Sequence, residues 1–486
     1  MSRVVILGAG VAGHTAALHA KRILGKKHEV VVVSPNSKWN WIPSNIWVGV
    51  GRMSQRQVVF PLAPVYKRKH IDFHQAKATK IYPEGFEGSA RGMVEVEYTS
   101  ADKKGQISKI EYDYLVNATG PQLRFDLTPG LGPDGNSLSV CTYSHAHEAS
   151  EKLKTIIAEL KTGAKKTLVV GMGHGACTCE GAAFEYVFNV ETELRNAGVR
   201  DNATVVYLTN EKELGDFGVG GITFKTKQGL VTSEKWMGGL FEERGIKVID
   251  SAHVTKVDPG KVHYEQIDGT VSSQVFDFAM LLPPFRGANL TAFDAKGKEI
   301  TDKLFMPNNF MKVDANYEVK PFAQWTSDDW PVTYQSPEYS NMFAAGIAFA
   351  PPHAISEPHQ TPSGAPVAPA PPRTGMPSGV QGRAVAETIA ERILTNNPLA
   401  PAKEASMGEM GAACIASVGV GMLKGEAASI VMSPIVPNFA HFPETGRDLG
   451  VTTGELGLAG HWIKRLLHTM FIYKAKAYPG WALIPE

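Results

Sequence analysis

Four cysteines, Cys141, Cys177, Cys179 and Cys414, are the residues of this 486-residue chain best suited to redox chemistry. Cys177 and Cys179 lie in KKTLVVGMGHGACTCEGAAFEY, residues 165–186, where an apolar strand passes through a glycine turn into a helix. The positive N-terminal end of a helix favours a thiolate over a thiol. Four cysteines are too few to form a disulfide scaffold in so long a chain, and their spacing matches no zinc site. The pattern therefore predicts redox-active sulfur in a loop of the nucleotide-binding kind, and no metal site.

The N-terminus carries a second nucleotide-binding pattern. Residues 4–17, VVILGAGVAGHTAA, contain an apolar strand, glycines spaced as GxGxxG and the start of a helix, and another apolar strand follows at 30–33. In such a turn, backbone N–H groups approach a pyrophosphate at the helix N-terminus. An acidic residue usually ends the second strand and binds the ribose, but a serine stands there. The pattern predicts dinucleotide binding by Gly8, Gly10, Gly13 and Ser34.

Two later strands are expected to complete the first domain. EYDYLVNATGP, residues 111–121, contains Thr119 and Gly120, and EYSNMFAAGIAFAPP, residues 338–352, contains Gly346. They are similar to the strands that close the FAD domain of flavoprotein disulfide-reductase-like enzymes, although Ile347 replaces the usual aspartate. A second α/β segment lies between them. We therefore expect an α/β fold with two Rossmann-like domains and a C-terminal membrane-interface segment. The predicted domains are a discontinuous FAD domain (1–149 and 290–395), a second Rossmann-like domain (150–289) and a C-terminal region (396–486).

Two segments each allow two interpretations. Residues 350–379 are rich in proline, glycine and serine, which is typical of a linker. They could equally form an ordered loop that delivers PPRTGMP to a helix start beside the flavin, an interpretation that we prefer for 371–377. Residues 457–481 have a broad apolar face bordered by basic residues. Such a helix lies in a membrane interface or packs on the protein's own core.

Composition excludes several classes of protein. A net charge of +1 gives no electrostatic reason to bind nucleic acid. Apolar content of 43% and charged content of 20% are typical of a folded globular protein. No uncharged apolar run reaches the roughly 18 residues of a membrane-spanning helix. The first residues run directly into a strand, so a cleavable signal peptide is not predicted.

The motifs together resemble those of the sulfide:quinone oxidoreductases, FAD enzymes with two Rossmann-like domains. The resemblance covers nearly the whole chain and includes three cysteine neighbourhoods in the family's order, SVCTYSHAHEA (139–149), CEGAAFEY (179–186) and GAACIASVG (411–419). The PPRTGMP segment matches the family's flavin loop, with arginine where lysine is usual. Cys177 has no counterpart, and Asp216 occupies a position where some members carry a histidine.

The resemblance implies roles for individual residues. Cys179 and Cys414 correspond to the redox pair, Glu185 to the acid/base carboxylate, Cys141 to a cysteine that binds FAD covalently in several members, and His145 to the histidine near it. FAD contacts are then expected from Arg373, Thr374 and Gly375 in addition to the glycines above. Phe471, Tyr473 and Lys474 are the candidate residues of the quinone channel.

The same resemblance implies a function. We expect oxidation of sulfide to zero-valent sulfur or polysulfide through the cysteine pair and FAD, with two electrons passed to a membrane quinone. Peripheral, monotopic attachment to the bilayer surface through 457–481 and assembly as a homo-oligomer are also implied. Which membrane face the protein occupies stays open.

Three alternatives stay open at this point. A single-subunit NADH:quinone dehydrogenase is favoured by Gly171, Gly173 and Ala176, which fit the NAD fingerprint. However, the next strand, Ala203–Thr209, ends far beyond the expected position of a ribose-binding acid. A flavocytochrome-type sulfide dehydrogenase subunit would usually be exported. The third alternative is a flavin-binding or sulfur-carrying protein without catalytic activity.

Overall fold

A computed structural model describes residues 1–227, 229–373, 375–420 and 424–486 of the chain. The first sheet contains a parallel core in which Arg3–Leu7 pairs with Glu29–Ser34 on one side and with Tyr114–Asn117 on the other. Met342–Ala344 extends this core beyond Tyr114–Asn117. The long strand Asp72–Tyr82 continues the sheet on the opposite side, followed by the antiparallel strands Gly92–Tyr98 and Ile107–Tyr112.

The first βα unit follows the predicted pattern. Its strand is apolar and buried, and the helix Val11–Leu24 begins directly after Gly10. A later helix, Met376–Leu394, packs closely against it. The two helices are so close at Gly382 that a Cβ atom there would collide with the Ala12 carbonyl oxygen. The strand Met342–Ala344, from the apolar segment 338–352, and the helix Met376–Leu394 therefore both belong to the domain that the N-terminal residues form.

The second domain is built on a parallel four-stranded sheet. Its strands lie in the order Ile246–Ile249, Ala203–Leu208, Lys166–Met172 and Phe278–Leu282. The helices Tyr143–Lys161, Glu180–Asn196 and Ser233–Glu243 accompany it. A separate antiparallel sheet contains Ala252–Asp258, Lys261–Gln266 and Val271–Val275. We call Glu180–Asn196 the cysteine helix, because it begins directly after Cys179.

The C-terminal region forms an antiparallel sheet of Ala412–Val420, Lys424–Met432 and Thr453–Gly457. We call Ala412–Val420 the cysteine strand, because it carries Cys414. The cysteine strand packs against the cysteine helix, and the C-terminal helix, Leu458–Ala475, packs on the sheet. Among the described residues, no helix has both the length and the apolar character needed to cross a bilayer.

The proline-rich segment is not a loose linker. Its residue Ala368 donates a backbone hydrogen bond to the Gly175 carbonyl (2.8 Å), and Ala370 donates one to the Cys177 carbonyl (2.8 Å). A Cβ atom on Gly175 would collide with the Pro366 carbonyl oxygen. The segment therefore lies directly on the glycine turn of the second domain, and the linker interpretation is wrong for residues 366–370.

The remaining elements are short. The helices are Asn45–Gly49, Gln55–Val58, Leu62–Lys69 and Thr301–Leu304. The paired strands are Lys38–Asn40 with Val59–Pro61, Pro121–Leu123 with Phe285–Gly287, Thr223–Thr226 with Gly229–Thr232, and His359–Gln360 with Pro366–Val367. Thr291–Ala292 pairs with the long strand of the first sheet.

Candidate active site

A cavity of about 410 Å³ lies where the two Rossmann-like domains meet the C-terminal region. Its walls are mainly apolar, and they include residues from all three parts of the chain. Three of the four cysteines line it, Cys141, Cys179 and Cys414. Tertiary folding thus brings together sulfur atoms that are far apart in sequence.

Cys177 lies outside this cavity. Its side chain is completely buried, and its Sγ donates a hydrogen bond to the Leu282 carbonyl (3.0 Å). Burial raises the pKa of the Cys177 thiol well above its usual value. A protonated thiol with a structural hydrogen bond is what these surroundings favour.

Cys179 and Cys414 both lie at the start of the cysteine helix. Cys179 precedes the cysteine helix with a φ of +73°, a left-handed conformation that costs a non-glycine residue roughly 1–2 kcal/mol. A Cβ atom on Gly181 would lie 2.6 Å from Cys414 Sγ, so only glycine leaves room for that sulfur at the helix start. Burial raises the pKa of the Cys414 thiol to about 11, and the Lys464 ammonium opposes this increase.

Cys141 lies just before the helix Tyr143–Lys161, and its backbone N–H donates to Ser139 Oγ (3.2 Å). Burial raises the pKa of its thiol to about 12. His145 lies in the first turn of that helix but is not among the residues that line the cavity. Its ring packs edge-on against Phe125, at 5.9 Å between ring centroids, and burial lowers its pKa.

Glu185 lines the cavity from the middle of the cysteine helix. Its Oε2 accepts a hydrogen bond from Lys464 Nζ (2.8 Å), and its Oε1 accepts one from the Ser417 backbone N–H (3.3 Å). Burial raises the pKa of Glu185, whereas the Lys464 ammonium lowers it. The carboxyl group is therefore placed to exchange protons with the cavity.

The glycine turns fit a bound FAD. Gly8 has a φ of +100°, and a Cβ atom there would collide with the Ala118 carbonyl oxygen. By contrast, a Cβ atom on Gly10 would meet no heavy atom within 4 Å, because Gly10 faces the cavity. Gly120 and Gly346 also line the cavity. Glycines of this kind let a pyrophosphate approach the backbone at the start of Val11–Leu24.

Three other residues predicted to contact FAD, Gly13, Ser34 and Thr119, make contacts within the protein instead. Gly13 packs against the backbone of Gly8, which holds the turn together. Ser34 is buried at the end of its strand, where its Oγ accepts a hydrogen bond from Asn36 N–H (3.3 Å). Thr119 Oγ1 donates to Asn117 Oδ1 (2.9 Å). None of these three residues lines the cavity, so their contacts with FAD stay predictions.

Arg373 is buried, and the residue before it, Pro372, lines the cavity. Its guanidinium group donates to the carbonyl oxygens of Ile347 (3.0 Å) and Phe349, and it lies 4.4 Å from the centre of the Phe310 ring. Its Nε has no hydrogen-bond partner, and burial lowers its pKa to about 10. An unpartnered buried donor fits an electron-rich group beside it. Thr374 lies outside the described residues.

Gly375, the next residue of the same loop, lines the cavity and precedes the helix Met376–Leu394. The positive end of that helix therefore faces the cavity, where it would stabilise negative charge on a bound cofactor.

The three residues predicted for a quinone channel occupy different places. Phe471 lines the cavity and stacks on Trp41, with ring centroids 4.9 Å apart. Tyr473 donates its hydroxyl to the Pro479 carbonyl (2.7 Å), and Lys474 forms a buried ion pair with Glu486 (2.6 Å). Neither is among the residues that line the cavity.

Sequence reasoning missed two polar residues of the C-terminal helix that do line the cavity, Lys464 and His468. His468 Nδ1 is hydrogen-bonded to Ser44 Oγ (2.8 Å), and burial lowers the pKa of its ring to about 4. Positions 464, 468 and 471 lie on one helix face, because residues three and four apart are neighbours. This spacing could have predicted that Lys464 and His468 share a helix face with Phe471. The helix also carries many apolar residues on its other side, which made that face difficult to recognise in the sequence.

Comparisons with known proteins agree with this arrangement. Residues 2–215 match the family described as pyridine nucleotide-disulphide oxidoreductase. The sulfide-quinone reductase of Aquifex aeolicus (strain VF5) is 28% identical over 97% of this chain and 91% of its own length. The mitochondrial sulfide:quinone oxidoreductase of Dictyostelium discoideum is 26% identical over 41% of this chain and 40% of its own length.

Solved structures give the same result. The crystal structure of the Aquifex aeolicus sulfide:quinone oxidoreductase superposes with a TM-score of 0.74 at 27% identity, covering 98% of this chain and 92% of that one. NDH2 from Plasmodium falciparum in complex with NADH shares the fold alone, with a TM-score of 0.63 at 13% identity, covering 98% and 96%. The resemblance to sulfide:quinone oxidoreductases is therefore confirmed, and the chain is an α/β, FAD-dependent oxidoreductase.

Proposed function

We propose that this enzyme oxidises sulfide to zero-valent sulfur through Cys179 and Cys414 and passes two electrons through FAD to a membrane quinone. One observation carries the proposal. Cys141, Cys179 and Cys414 line a single apolar cavity that is also lined by four of the glycines predicted to bind FAD, Gly10, Gly120, Gly346 and Gly375. Bound FAD would supply a two-electron acceptor there.

The sulfur chemistry follows from thiol–disulfide exchange. In the oxidised resting form, hydrosulfide attacks one sulfur of a Cys179–Cys414 bridge, so that one S–S bond forms as another breaks. The products are a persulfide on one cysteine and a thiolate on the other. When the two cysteines are joined again through the additional sulfur, two electrons and one proton leave. A second hydrosulfide then attacks the inserted sulfur, which forms a new S–S bond and frees one cysteine as a thiolate. That thiolate attacks the sulfur of the other cysteine, so that the Cys179–Cys414 bridge re-forms and the two added sulfurs leave as HSS⁻.

Glu185 is placed to receive that proton. Its carboxyl group lines the cavity and is buried, and Lys464 stabilises its ionised form from 2.8 Å. The same ammonium lowers the pKa of the Cys414 thiol. Lys464 therefore stabilises the ionised carboxylate of Glu185, which can act as a base, and also a thiolate on Cys414.

The C-terminal helix supports a quinone site at the other end of the cavity. Trp41 and Phe471 form a stacked aromatic pair there, and both line the cavity with Ile42, Leu467 and His468. A flat quinone ring can pack on such a pair. The nearby imidazole of His468 is held neutral by burial and can hydrogen-bond to a quinone oxygen.

The opposite face of this helix supports membrane attachment. Trp462, Ile463 and Leu466 are 45%, 49% and 57% exposed, and Arg465 lies among them. The helix therefore packs on the protein with one face and presents large apolar side chains to the surroundings with the other. Apolar and basic residues together are typical of a helix in a membrane interface. A quinone could enter from the bilayer along this helix.

The glycine turn of the second domain offers little room for NADH. The segment 366–370 lies on that turn, and the Pro366 carbonyl oxygen occupies the space beside Gly175. The acidic residue after the next strand, Glu211, is completely buried and accepts hydrogen bonds from Thr209 Oγ1 and Phe217 N–H, both 2.8 Å. It is not available to a ribose. These contacts favour sulfide over NADH as the electron donor.

Anaerobic mixing with one donor at a time separates the two functions. Sulfide alone is expected to bleach the flavin absorbance within a single turnover, and a quinone should restore it. NADH alone is expected to leave the spectrum unchanged. Rapid bleaching by NADH without sulfide would contradict the proposal.

A covalent bond between Cys141 and FAD and a homo-oligomeric state also stay predictions. Acid precipitation tests the first, because flavin in the pellet supports a covalent bond and flavin in the supernatant contradicts it. Gel filtration of the detergent-solubilised protein tests the second.

A further inference from the structure

The cysteine helix carries three buried glutamates with very different surroundings. Glu191 is completely buried and contacts the guanidinium groups of Arg195, Arg200 and Arg244. Glu185 has Lys464 as its partner. Glu180 is also completely buried, yet neither of its carboxyl oxygens has a hydrogen-bond partner. A buried carboxylate without a donor or a cation is strongly disfavoured.

The charged groups around Glu180 make its ionised form still less favourable. The carboxyl groups of Glu211 and Asp216 act on it from the loop that follows the neighbouring strand, and both raise its pKa. Burial is the larger cause and raises the pKa well above the usual range. The thiol of Cys177 and the hydroxyl of Tyr207 are the other titratable groups that face it.

The other two carboxyl groups of this cluster have donors. Glu211 accepts from Thr209 Oγ1 and Phe217 N–H. Asp216 accepts from Gly218 N–H (2.9 Å) and from Ser356 Oγ. The Arg447 guanidinium group also acts on Asp216, but it donates its hydrogen bonds to the backbone carbonyls of Gly221 (2.8 Å) and Val219 (2.7 Å). Burial also raises the pKa of Glu211, to about 7, and the pKa of Asp216, but the hydrogen bonds to both groups oppose that increase. Of the three carboxyl groups, Glu180 is the one whose two oxygens both lack a hydrogen-bond partner, so its surroundings suit a proton best.

A second unpartnered atom belongs to the neighbouring Asn210, whose side-chain amide acts on the Glu180 carboxyl group and opposes part of the increase in its pKa. The Asn210 side chain is completely buried, and its amide nitrogen donates to the carbonyls of Gly175 (3.1 Å) and Cys177 (3.3 Å). Two carbonyl acceptors fix the orientation of this amide, which leaves Asn210 Oδ1 without a donor. A proton on Glu180 would allow the carboxyl group to donate to Oδ1 and would satisfy both residues at once.

We propose that Glu180 is held as a neutral carboxylic acid hydrogen-bonded to Asn210, and that it acts as a positioning residue for Cys179. Glu180 directly follows Cys179 as the first residue of the cysteine helix. A negative charge there would oppose the positive helix end that favours the Cys179 thiolate. A neutral acid adds no such charge beside Cys179. Its hydrogen bond to Asn210 holds the start of the cysteine helix in place.

Infrared spectroscopy tests the protonation directly on the holoenzyme at neutral pH. The difference spectrum between the wild type and Glu180→Gln should contain the carbonyl stretch of a protonated carboxylic acid. The matched control, Glu191→Gln on the same helix, should lose a carboxylate band instead. Loss of a carboxylate band in Glu180→Gln would overturn the proposal.

Thermal unfolding gives an independent test with a defined sign. A buried neutral acid retains its proton in the folded protein, whereas the unfolded chain releases it above about pH 4.5. Folding stability of the wild type is therefore lost as pH rises above that value. Relative to the wild type, Glu180→Gln should raise the unfolding temperature at pH 8, and this difference should disappear near pH 4. Glu191→Gln should lower the unfolding temperature at pH 8. A decrease for Glu180→Gln at pH 8 would contradict the proposal.

The effect on Cys179 rests on the proposed function and needs a kinetic measurement. Glutamine is neutral and can donate to Asn210, whereas alanine cannot. Sulfide-driven flavin reduction should therefore be at least about tenfold faster in Glu180→Gln than in Glu180→Ala, which corresponds to roughly one hydrogen bond. Equal, low rates would mean that an ionisable group is required and would overturn the positioning role. If the wild type itself fails to respond to sulfide, the proposed function fails, while the infrared and unfolding results still decide the state of Glu180.

Discussion

Lys464 Nζ lies 2.8 Å from Glu185 Oε2, and this buried ion pair joins the C-terminal helix to the cysteine helix. The same ammonium donates to the carbonyl of Ile415, the residue after Cys414 (3.0 Å). One side chain thus connects the helix proposed to bind membrane and quinone with both elements that carry the proposed redox cysteines.

Lys464→Met should slow sulfide-driven flavin reduction by about tenfold at neutral pH. Without the ammonium, burial raises the pKa of Glu185 further, so its ionised form requires a higher pH. The rate should therefore recover as pH rises. Loss of one partner of a buried pair should also reduce the free energy of unfolding by about 3–5 kcal/mol. Stopped-flow measurements at several pH values check the first effect.

Arg465→Met is the matched control, because Arg465 is exposed and adjacent to Lys464 but does not line the cavity. Its pH profile should match that of the wild type. An unchanged profile in Lys464→Met would show that Glu185 does not depend on Lys464.

Phe471→Ala should weaken quinone binding and leave the reaction with sulfide intact. The substitution removes one ring of the stacked pair with Trp41, and a loss of about 1.4 kcal/mol corresponds to a tenfold increase in KM for the quinone. Steady-state assays with varied quinone measure it. Tyr473→Ala should change this KM little, because Tyr473 does not line the cavity. A larger effect from Tyr473→Ala would move the quinone site away from the Trp41–Phe471 pair.

Leu466→Glu should reduce binding to phospholipid vesicles, because it places a charge in the middle of the exposed apolar face. Co-flotation of the protein with vesicles measures the effect. Leu394→Glu, at another exposed leucine far from the C-terminal helix in sequence, is the control and should bind as the wild type does. Equal binding by Leu466→Glu would exclude this face as the attachment site.

Cys177→Ser should retain sulfide oxidation, because Cys177 does not line the cavity and serine can still donate to the Leu282 carbonyl. Cys177→Ala loses that hydrogen bond and should be less stable by about 1–2 kcal/mol. Denaturant unfolding and the sulfide assay together check both variants. Inactivity of a well-folded Cys177→Ser would give Cys177 a chemical role.

Local sequence patterns predicted much of this molecule. Both glycine turns follow apolar strands and precede helices, because the turn chemistry and the apolar period are encoded within a few residues. The resemblance to a known family identified Cys141, Cys179, Cys414 and Glu185, which all line the cavity.

Contacts between distant segments could not be predicted in the same way. The ion pair of Lys464 joins residues far apart in the chain, and no local pattern specifies it. The segment 366–370 has a linker-like composition, yet its backbone hydrogen-bonds to the glycine turn, which only the tertiary structure reveals. The resemblance makes Lys474 a candidate residue of the quinone channel, yet it forms a buried ion pair with Glu486 and does not line the cavity.

The central claim is that Cys179 and Cys414 carry sulfide-derived electrons to the flavin. The most direct test is anaerobic single-turnover mixing of sulfide with Cys179→Ser and Cys414→Ser, each confirmed to bind FAD, with Cys177→Ser as the control. The account predicts that flavin reduction is at least about a hundredfold slower in both variants, since serine cannot form the S–S bonds of the exchange, and is retained in the control. Reduction at the wild-type rate in either variant would contradict it.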